Sequence, residues 1–280
     1  MSEDSRPLIA AVLGWPIEHS KSPLIFAHWF AETGIAGSYK RIAVEPGAFA
    51  ATLDQMIQAG FRGANVTLPH KLTALAAADR ASPAAQSIGA ANTLVIDPSG
   101  EVFADNTDAF GFIESLRAGA PDWRPQAGPA LVLGAGGAAR AVIHALLDAG
   151  VDQVRLANRT LAKAEDLAAH FGARVVPVAW NERSSASAGA GVIVNTTSLG
   201  MTGQPPLELT LDNAPGGAVV TDIVYVPLET PLLAAARSHG FVAVDGLGML
   251  LHQARPGFRA WFGRDVAVTP ALRHAVLAGA

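Results

Sequence analysis

The feature that most constrains this chain is its regular alternation of short apolar runs with helix-like segments. Residues 8–13 form an apolar run ended by Gly14-Trp15-Pro16, which reads as a buried strand and a turn. Ser22-Pro23 opens a helix, with Ser22 as N-cap and Pro23 at the first helical position. Residues 38–44 read as a second strand, Pro46-Gly47 as the start of a helix reaching residue 59, and 63–67 as a third strand stopped by Pro69. Segments 91–96 and 101–104, joined by Asp97-Pro98-Ser99-Gly100, read as a hairpin. A linking helix over 107–118 leads into the proline-bearing segment 121–129, which reads as a boundary loop. The pattern then restarts: strands at 130–133, 153–157, 175–178, 191–195, 218–222 and 241–244, helices at 137–149 and 161–170, and two helices from 247 onward separated near 266–270. Strands alternating with helices require crossover connections, hence an α/β class with a parallel sheet.

Composition supports two cores. The chain has 280 residues, half of them hydrophobic and 16% charged, enough for two domains. A net charge of -4 without any block of like charges argues against nucleic-acid or anionic-membrane partners. The absence of cysteine excludes disulfides, thiolate nucleophiles and cysteine zinc sites, and fits a reducing compartment. Residues 1–6 are acidic and lack a signal-peptide pattern, and the longest apolar stretch, 130–149, is broken by Arg140, His144 and Asp148. The expectation is a cytoplasmic protein with no membrane partner and no resident metal.

The strand at 130–133 runs directly into Gly134-Ala135-Gly136-Gly137-Ala138-Ala139-Arg140 and a helix. This is the GxGxxA dinucleotide fingerprint in its strand–turn–helix context. Gly134 permits the tight turn, Gly136 lets a pyrophosphate approach the backbone, and Ala139 lets helix and strand pack closely. The helix N-terminus offers N–H groups and a partial positive charge to phosphates. The next strand ends Ala157-Asn158-Arg159-Thr160, with no acid to hold ribose hydroxyls. Arg159 suits a 2′-phosphate, and Lys163 lies one helical turn on, so the loop favours NADP(H) over NAD. Thr196 and Ser198, within Asn195-Thr196-Thr197-Ser198, follow another strand, where small polar groups line a crevice or simply form a turn.

Four polar clusters punctuate the first half at strand ends or helix starts: 19–23, 65–71, 92–93 and 105–108. Each alone has a bland reading, with Ser22, Asn106 and Thr107 as caps, Pro69 as a stop and Lys71 as a solvated helix residue. Their recurrence at strand ends is where ligands bind in open α/β sheets.

Together these stretches resemble the shikimate dehydrogenase family from Leu13 to the C-terminal helices. The resemblance is carried by Ser-Lys-Ser-Pro (20–23), Asn-Val-Thr-x-Pro-His-Lys (65–71), Asn-Thr (92–93) and Asn-Thr-Asp-x-x-Gly (106–111). It continues with Gly-Ala-Gly-Gly-Ala (134–138), Asn-Arg-Thr (158–160), Asn-Thr-Thr-Ser-x-Gly-Met (195–201), Asp-x-x-Tyr-x-Pro-x-x-Thr-Pro (222–231) and Gly-x-x-Met-Leu-x-x-Gln-Ala (246–254). It implies reversible NADPH-dependent reduction of 3-dehydroshikimate to shikimate, a step toward aromatic amino acids. It implies Lys71 and Asp108 as the catalytic pair, with Ser20, Ser22, Thr67, Asn92, Tyr225 and Gln253 holding the substrate's carboxylate and hydroxyls. Along the cofactor it places Gly134, Ala135, Gly136, Gly137, Ala138, Asn158, Arg159, Thr160, Lys163, Thr196 and Ser198, and Ile223 and Gly246 near the nicotinamide. The implied fold is two-lobed: an N-terminal α/β substrate domain (1–107 plus 247–280) and a Rossmann-like NADP-binding domain (108–246), with the C-terminal helices returning to the N-terminal lobe. A monomer or homodimer is implied.

The chemistry makes sense independently. Hydride arriving at a ketone carbon leaves charge on oxygen, which an ammonium such as Lys71 stabilises while delivering the proton. Asp108 would keep that lysine oriented and protonated, or relay the proton. Ser20 and Ser22, at a helix start, suit a carboxylate. The chain departs from the family at Phe26-Ala27, where His-Asn is frequent, and at Trp15, where a small or polar residue is; both read as packing variation. His19, His70 and His252 neighbour key residues and receive no catalytic role. Two rivals remain: a broader quinate/shikimate dehydrogenase, and a non-catalytic NADP-binding regulator on the same fold. Relatives favouring quinate or NAD tend to alter the second serine or carry an acid near Arg159, and neither is seen here; a regulator would be expected to lose Lys71 or Asp108.

Overall fold

A computed structural model describes residues 7–279; the acidic hexapeptide read above lies outside the described residues. The chain divides into two compact units. One takes the chain up to Thr107 together with Leu251 onward, and the other takes Asp108–Leu250.

The first unit is built on a six-stranded sheet. Its elements are β1 (Ile9–Gly14), α1 (Ser22–Thr33), β2 (Ser38–Ala43), α2 (Phe49–Gln58), β3 (Gly63–Val66), α3 (Lys71–Ala76), β4 (Arg80–Ala81), α4 (Pro83–Ile88), β5 (Thr93–Ile96) and β6 (Val102–Asp105). The spatial order is β2-β1-β3-β5-β6-β4, and only β5 runs antiparallel to its neighbours. β1 lies between β2 and β3 and is apolar on both faces, as an inner parallel strand must be. β2 is the sheet edge, and its exposed Lys40 and Arg41 discourage pairing with another chain.

The second unit comprises α5 (Asp108–Gly119), β7 (Ala130–Leu133), α6 (Gly137–Asp148), β8 (Val154–Asn158), α7 (Leu161–Phe171), β9 (Val175–Ala179), β10 (Val192–Asn195), β11 (Val219–Asp222), α8 (Pro231–Ser238) and β12 (Val242–Val244). Its sheet is wholly parallel, in the order β12-β11-β10-β7-β8-β9. Strand order reverses at β7, so the crevice beyond the carboxyl ends of β7 and β10 is the expected ligand position.

α9 (Gly246–Phe262) begins in the second unit and ends in the first, followed by α10 (Pro270–Ala278). The helical return is an aromatic one. Phe26 and Trp29 of α1 meet Phe258, edge-on in the case of Trp29, and Trp261 donates its indole N–H to Leu94 O at 3.0 Å. Trp29 likewise donates to Ala267 O, so the buried indoles have polar partners as well as contact area.

Four details differ from the sequence expectations. The N-cap of α1 is Lys21, with no side-chain cap, and Ser22 is the first helical residue. Its hydroxyl is engaged with Tyr39 instead. α3, β4, α4 and α8 carry no periodicity long enough to be read. α5 is not a free linker, because it packs on α6 and β12. For the same reason segment 121–129, read from its prolines as a boundary loop, lies inside the second unit. Among the described residues no helix is long and apolar enough to cross a membrane.

Candidate functional site

In the first unit, polar groups gather at one edge of the sheet, where β1, β3 and β6 end and antiparallel β5 begins. Register brings them together: Asn65 lies opposite Thr93, and Thr93 opposite Asp105. Asn92 is the hub. Its Oδ1 accepts from Thr107 N at 2.7 Å, Thr107 Oγ1 at 3.1 Å and Thr93 Oγ1 at 3.0 Å. A backbone N–H can only donate, so the orientation of the Asn92 amide is settled: Nδ2 is the other end, and it donates to Gln253 Oε1 at 3.3 Å. Asn65, Asn92, Thr93, Thr107 and Gln253 are all buried. Such a network persists only because nearly every group in it is paired.

Ser20 lies between β1 and α1, and Ser22 is the first residue of α1. The exposed Arg41 donates from Nε and Nη2 to Ser20 O at 2.9 and 2.6 Å, tying this loop to the edge strand. Ser20 Oγ accepts from Ser22 N at 3.4 Å. Tyr39 donates its hydroxyl to Asn65 Oδ1 at 2.7 Å while its ring stacks on Phe26. Burial pushes the Tyr39 phenol well above its usual range despite a hydrogen bond with Ser22.

Lys71 opens α3 and is half-buried. Its carbonyl accepts from Ala91 N at 2.9 Å, which ties the backbone beside Asn92 to the start of α3. The preceding residue, buried His70, donates from Nε2 to Val44 O at 2.6 Å and packs on Phe49, a structural role. Asp108 is buried as the first residue of α5.

In the second unit, β7 delivers the chain to Gly134, whose φ of +104° and close approach to Thr196 leave no room for a side chain. Gly136 caps α6, which has no side-chain cap of its own, and a Cβ added there would meet no protein atom within 4 Å. An exposed, uncapped helix start facing open space is what a diphosphate requires, so these residues fit a dinucleotide. Asn158 braces the loop: its Oδ1 accepts from Ala135 N at 3.1 Å and its Nδ2 donates to Thr160 O at 2.8 Å. Arg159, bracketed between these anchors, is exposed, as are Thr160 and Lys163. β8 ends without an acid, so the donor set favours a phosphate over ribose hydroxyls at this point.

At the end of β10, Thr196 donates to Leu133 O at 2.7 Å and is occupied structurally, whereas Ser198 is exposed. Next to it, fully buried Asp222 accepts from Asn195 Nδ2, Thr230 Oγ1 and Val224 N. Burial raises the Asp222 carboxyl above its ordinary value, and those three donors only partly offset it. This cluster fixes the turn carrying Ile223 and Tyr225; Tyr225 is half-buried and its phenol is pushed up by burial. Gly246 comes so close to the Ile223 carbonyl that any Cβ there would collide with it. Among the described residues no cluster of three or more potential ligands could hold a metal.

Comparison with known proteins decides the family. The shikimate dehydrogenase substrate binding domain pattern matches residues 12–94, the shikimate / quinate 5-dehydrogenase pattern 124–201, and the shikimate 5'-dehydrogenase C-terminal domain pattern 246–277. Shikimate dehydrogenase (NADP(+)) of Dinoroseobacter shibae is 56% identical over 270 residues, covering 96% of this chain and 97% of that protein. The chain belongs to the shikimate dehydrogenase family. A crystal structure of the Thermus thermophilus enzyme in complex with NADP(H) and shikimate superposes with a TM-score of 0.85 at 40% identity, covering 97% of this chain and 99% of that one. Quinate dehydrogenase from Corynebacterium glutamicum in complex with NAD gives 0.90 at 31% identity, over 97% and 99%.

Within this family frame, the structure joins Asn92 and Gln253 directly, and sets Ser20 beside Ser22. It joins Asn158 to the glycine loop and Ile223 to Gly246. Of the two departures, Phe26 is fully buried packing, but Trp15 is 42% exposed and is no part of a core. Tyr39 and Arg41 went unread in the sequence, because nothing local marks a tyrosine or arginine on an edge strand as a brace for residues of other strands.

Proposed function

We propose that this chain catalyses the reversible NADP(H)-dependent reduction of 3-dehydroshikimate to shikimate, within aromatic amino-acid biosynthesis. The observation that carries this reading is the 56% identity, over 96% of the chain, with a protein named shikimate dehydrogenase (NADP(+)). The substrate lobe is residues 1–107 plus 247–280, and the cofactor lobe is 108–246.

Lys71 and Asp108 are the catalytic pair. As the ketone is reduced its oxygen gains negative charge, and the Lys71 ammonium stabilises that charge and gives up the proton. The Asp108 carboxylate holds the lysine in its charged form or passes the proton on. Ser20 and Ser22, at the N-terminal end of α1, receive the substrate carboxylate, where hydroxyls and helix N–H groups converge. Thr67, Asn92, Tyr225 and Gln253 hold the ring hydroxyls. NADP(H), when bound, supplies or accepts the hydride. Gly134, Ala135, Gly136, Gly137 and Ala138 would cradle its diphosphate, Asn158, Arg159, Thr160 and Lys163 its 2′-phosphate ribose, Thr196 and Ser198 the crevice wall, and Ile223 and Gly246 the nicotinamide end. The cysteine-free composition suits the cytoplasm, where the chain acts as a monomer or homodimer.

The test is a cross-assay of shikimate and quinate against NADP⁺ and NAD⁺. Shikimate with NADP⁺ should give the highest kcat/KM by a wide margin. Equal or reversed values would overturn the specificity, and no turnover with any pair would leave a non-catalytic NADP-binding protein.

A further inference from the structure

We infer that Tyr39 is a positioning residue that, through Asn65, orders the Thr93 hydroxyl as a donor to Asn92 Oδ1, beside the Thr107 N–H that fixes the polarity of that amide. The inference rests on the reading of Asn92 as a substrate ligand. Tyr39 meets Ser22 on the carboxylate side and touches none of the residues assigned to the ring hydroxyls, yet a directed set of hydrogen bonds runs from it to Asn92. Its hydroxyl donates to Asn65 Oδ1 at 2.7 Å. That turns Asn65 Nδ2 toward the Asn92 carbonyl at 3.3 Å and Thr93 Oγ1 at 3.1 Å. With a lone pair taken by Asn65, the Thr93 hydroxyl donates to Asn92 Oδ1 at 3.0 Å. Held at Oδ1 by Thr93 and by the Thr107 N–H, Asn92 presents its NH₂ end on the other side, where it meets Gln253 Oε1. Gln253 therefore holds its own carbonyl inward, so the two amides are ordered as a pair.

Packing alone does not call for a tyrosine here. The ring lies against Phe26 with centroids 3.7 Å apart and planes 10° from parallel, a place that phenylalanine fills equally well. What the hydroxyl adds is a partner for a buried Asn65 carbonyl oxygen and for the Ser22 hydroxyl; an effect carried by Ser22 alone would not depend on Thr93. Removing it leaves that acceptor unpaired and lets the Asn65 amide turn over, which withdraws the donor that orders Thr93.

The experiment is Tyr39→Phe beside Thr93→Val and the double variant. Expected for Tyr39→Phe is a rise in the KM for shikimate of about tenfold, with kcat within about threefold and the KM for NADP⁺ unchanged. The double variant should show little more than the larger single effect, because both break one relay. An unchanged shikimate KM overturns the inference, as does a uniform loss in kcat and both KM values with a lowered melting temperature, or strict additivity. The side-chain amide resonance of Asn92, assigned by its loss in Asn92→Asp, gives an arm independent of turnover. It should move in Tyr39→Phe; a fixed resonance overturns the inference. If the unaltered enzyme fails to oxidise shikimate while that resonance moves, the proposed reaction falls and the relay stands.

Discussion

Asn195 donates its side-chain N–H to Asp222 Oδ1 across 2.9 Å at the carboxyl ends of neighbouring strands β10 and β11, and both residues are wholly buried. The donors around Asp222 are neutral, so desolvation wins and the carboxyl lies above its ordinary range. A carboxyl whose folded value is raised holds its proton more tightly when folded. Its contribution to stability is therefore present at acid pH and is lost as pH rises from the unfolded value, near 3.8, through the folded one. Asp222→Asn removes this loss while keeping the shape. Its carbonyl replaces Oδ1 for Asn195 and Val224, and its NH₂ faces the Thr230 hydroxyl, which can turn to accept. Calorimetry should find the melting temperature of the variant gaining on that of the unaltered protein between pH 4 and pH 7; a constant difference would refute the buried-charge account.

The chain has only two tyrosines, Tyr39 and Tyr225, and burial raises both phenols. At pH near 10, where an exposed phenol is half ionised, the native protein should show little tyrosinate absorbance, and denaturant at the same pH should reveal it. The sign follows: raised phenol values stabilise the fold below the unfolded value and cease to do so as pH climbs through the folded ones. Tyr39→Phe should remove the higher of the two native transitions. Ordinary titration of both phenols in the native protein would contradict the burial.

Lys71→Ala should lower kcat by about 10²–10⁴-fold with a small change in the KM for shikimate, since proton delivery and charge stabilisation act chiefly on the transition state. Asp108→Asn should fall in the same range. Combining the two should cost little beyond the larger single loss, as groups acting in one step are not additive. Steady-state rates with shikimate and NADP⁺, with circular dichroism to confirm folding, decide it. Undiminished turnover in either single variant would remove that residue from the reaction.

What was legible in the sequence follows how far its physical cause extends along the chain. The turn at Gly134–Gly136 depends on backbone conformation and on the helix that follows at once, so the motif read correctly. The hairpin of β5 and β6 is likewise local, announced by Asp97-Pro98-Ser99-Gly100. Six-residue α3 and two-residue β4 were invisible because neither completes a period. Ser22 was misplaced by one position because its hydroxyl serves a tyrosine on another strand in place of the helix end, and local propensity carries no record of that partner. Local pattern misled at segment 121–129: prolines at 121, 125 and 129 look like a border, but packing of α5 on α6 and β12 places them inside the second unit, and the bound at 107 came from the family resemblance alone. The Asn92 hub shows both sides. Asn92-Thr93 and Asn106-Thr107 stood out as polar clusters, whereas Tyr39 joins them only through the register of β1, β2, β3 and β5.

Cofactor preference gives a last prediction. Asn158 holds the glycine loop with one end of its amide and Thr160 with the other, so Arg159 stands at a fixed point beyond β8, exposed and within one helical turn of Lys163. A guanidinium there would meet a 2′-phosphate with two parallel hydrogen bonds, each charge-assisted, and NAD would offer it nothing comparable. Hydrogen bonds to charged groups are worth about 1.5–3 kcal/mol, so Arg159→Ala should lower kcat/KM for NADP⁺ by about 10–150-fold. The value for NAD⁺ should hardly move, and Lys163→Ala should act in the same direction with less effect, its ammonium being a single point charge on a mobile stem. The loss should also shrink as salt rises, because both side chains are exposed and their attraction is screened. Equal losses with both cofactors would show that Arg159 holds the loop and does not read the phosphate. In that case Asn158→Ala, which frees the glycine turn, should reproduce the same pattern.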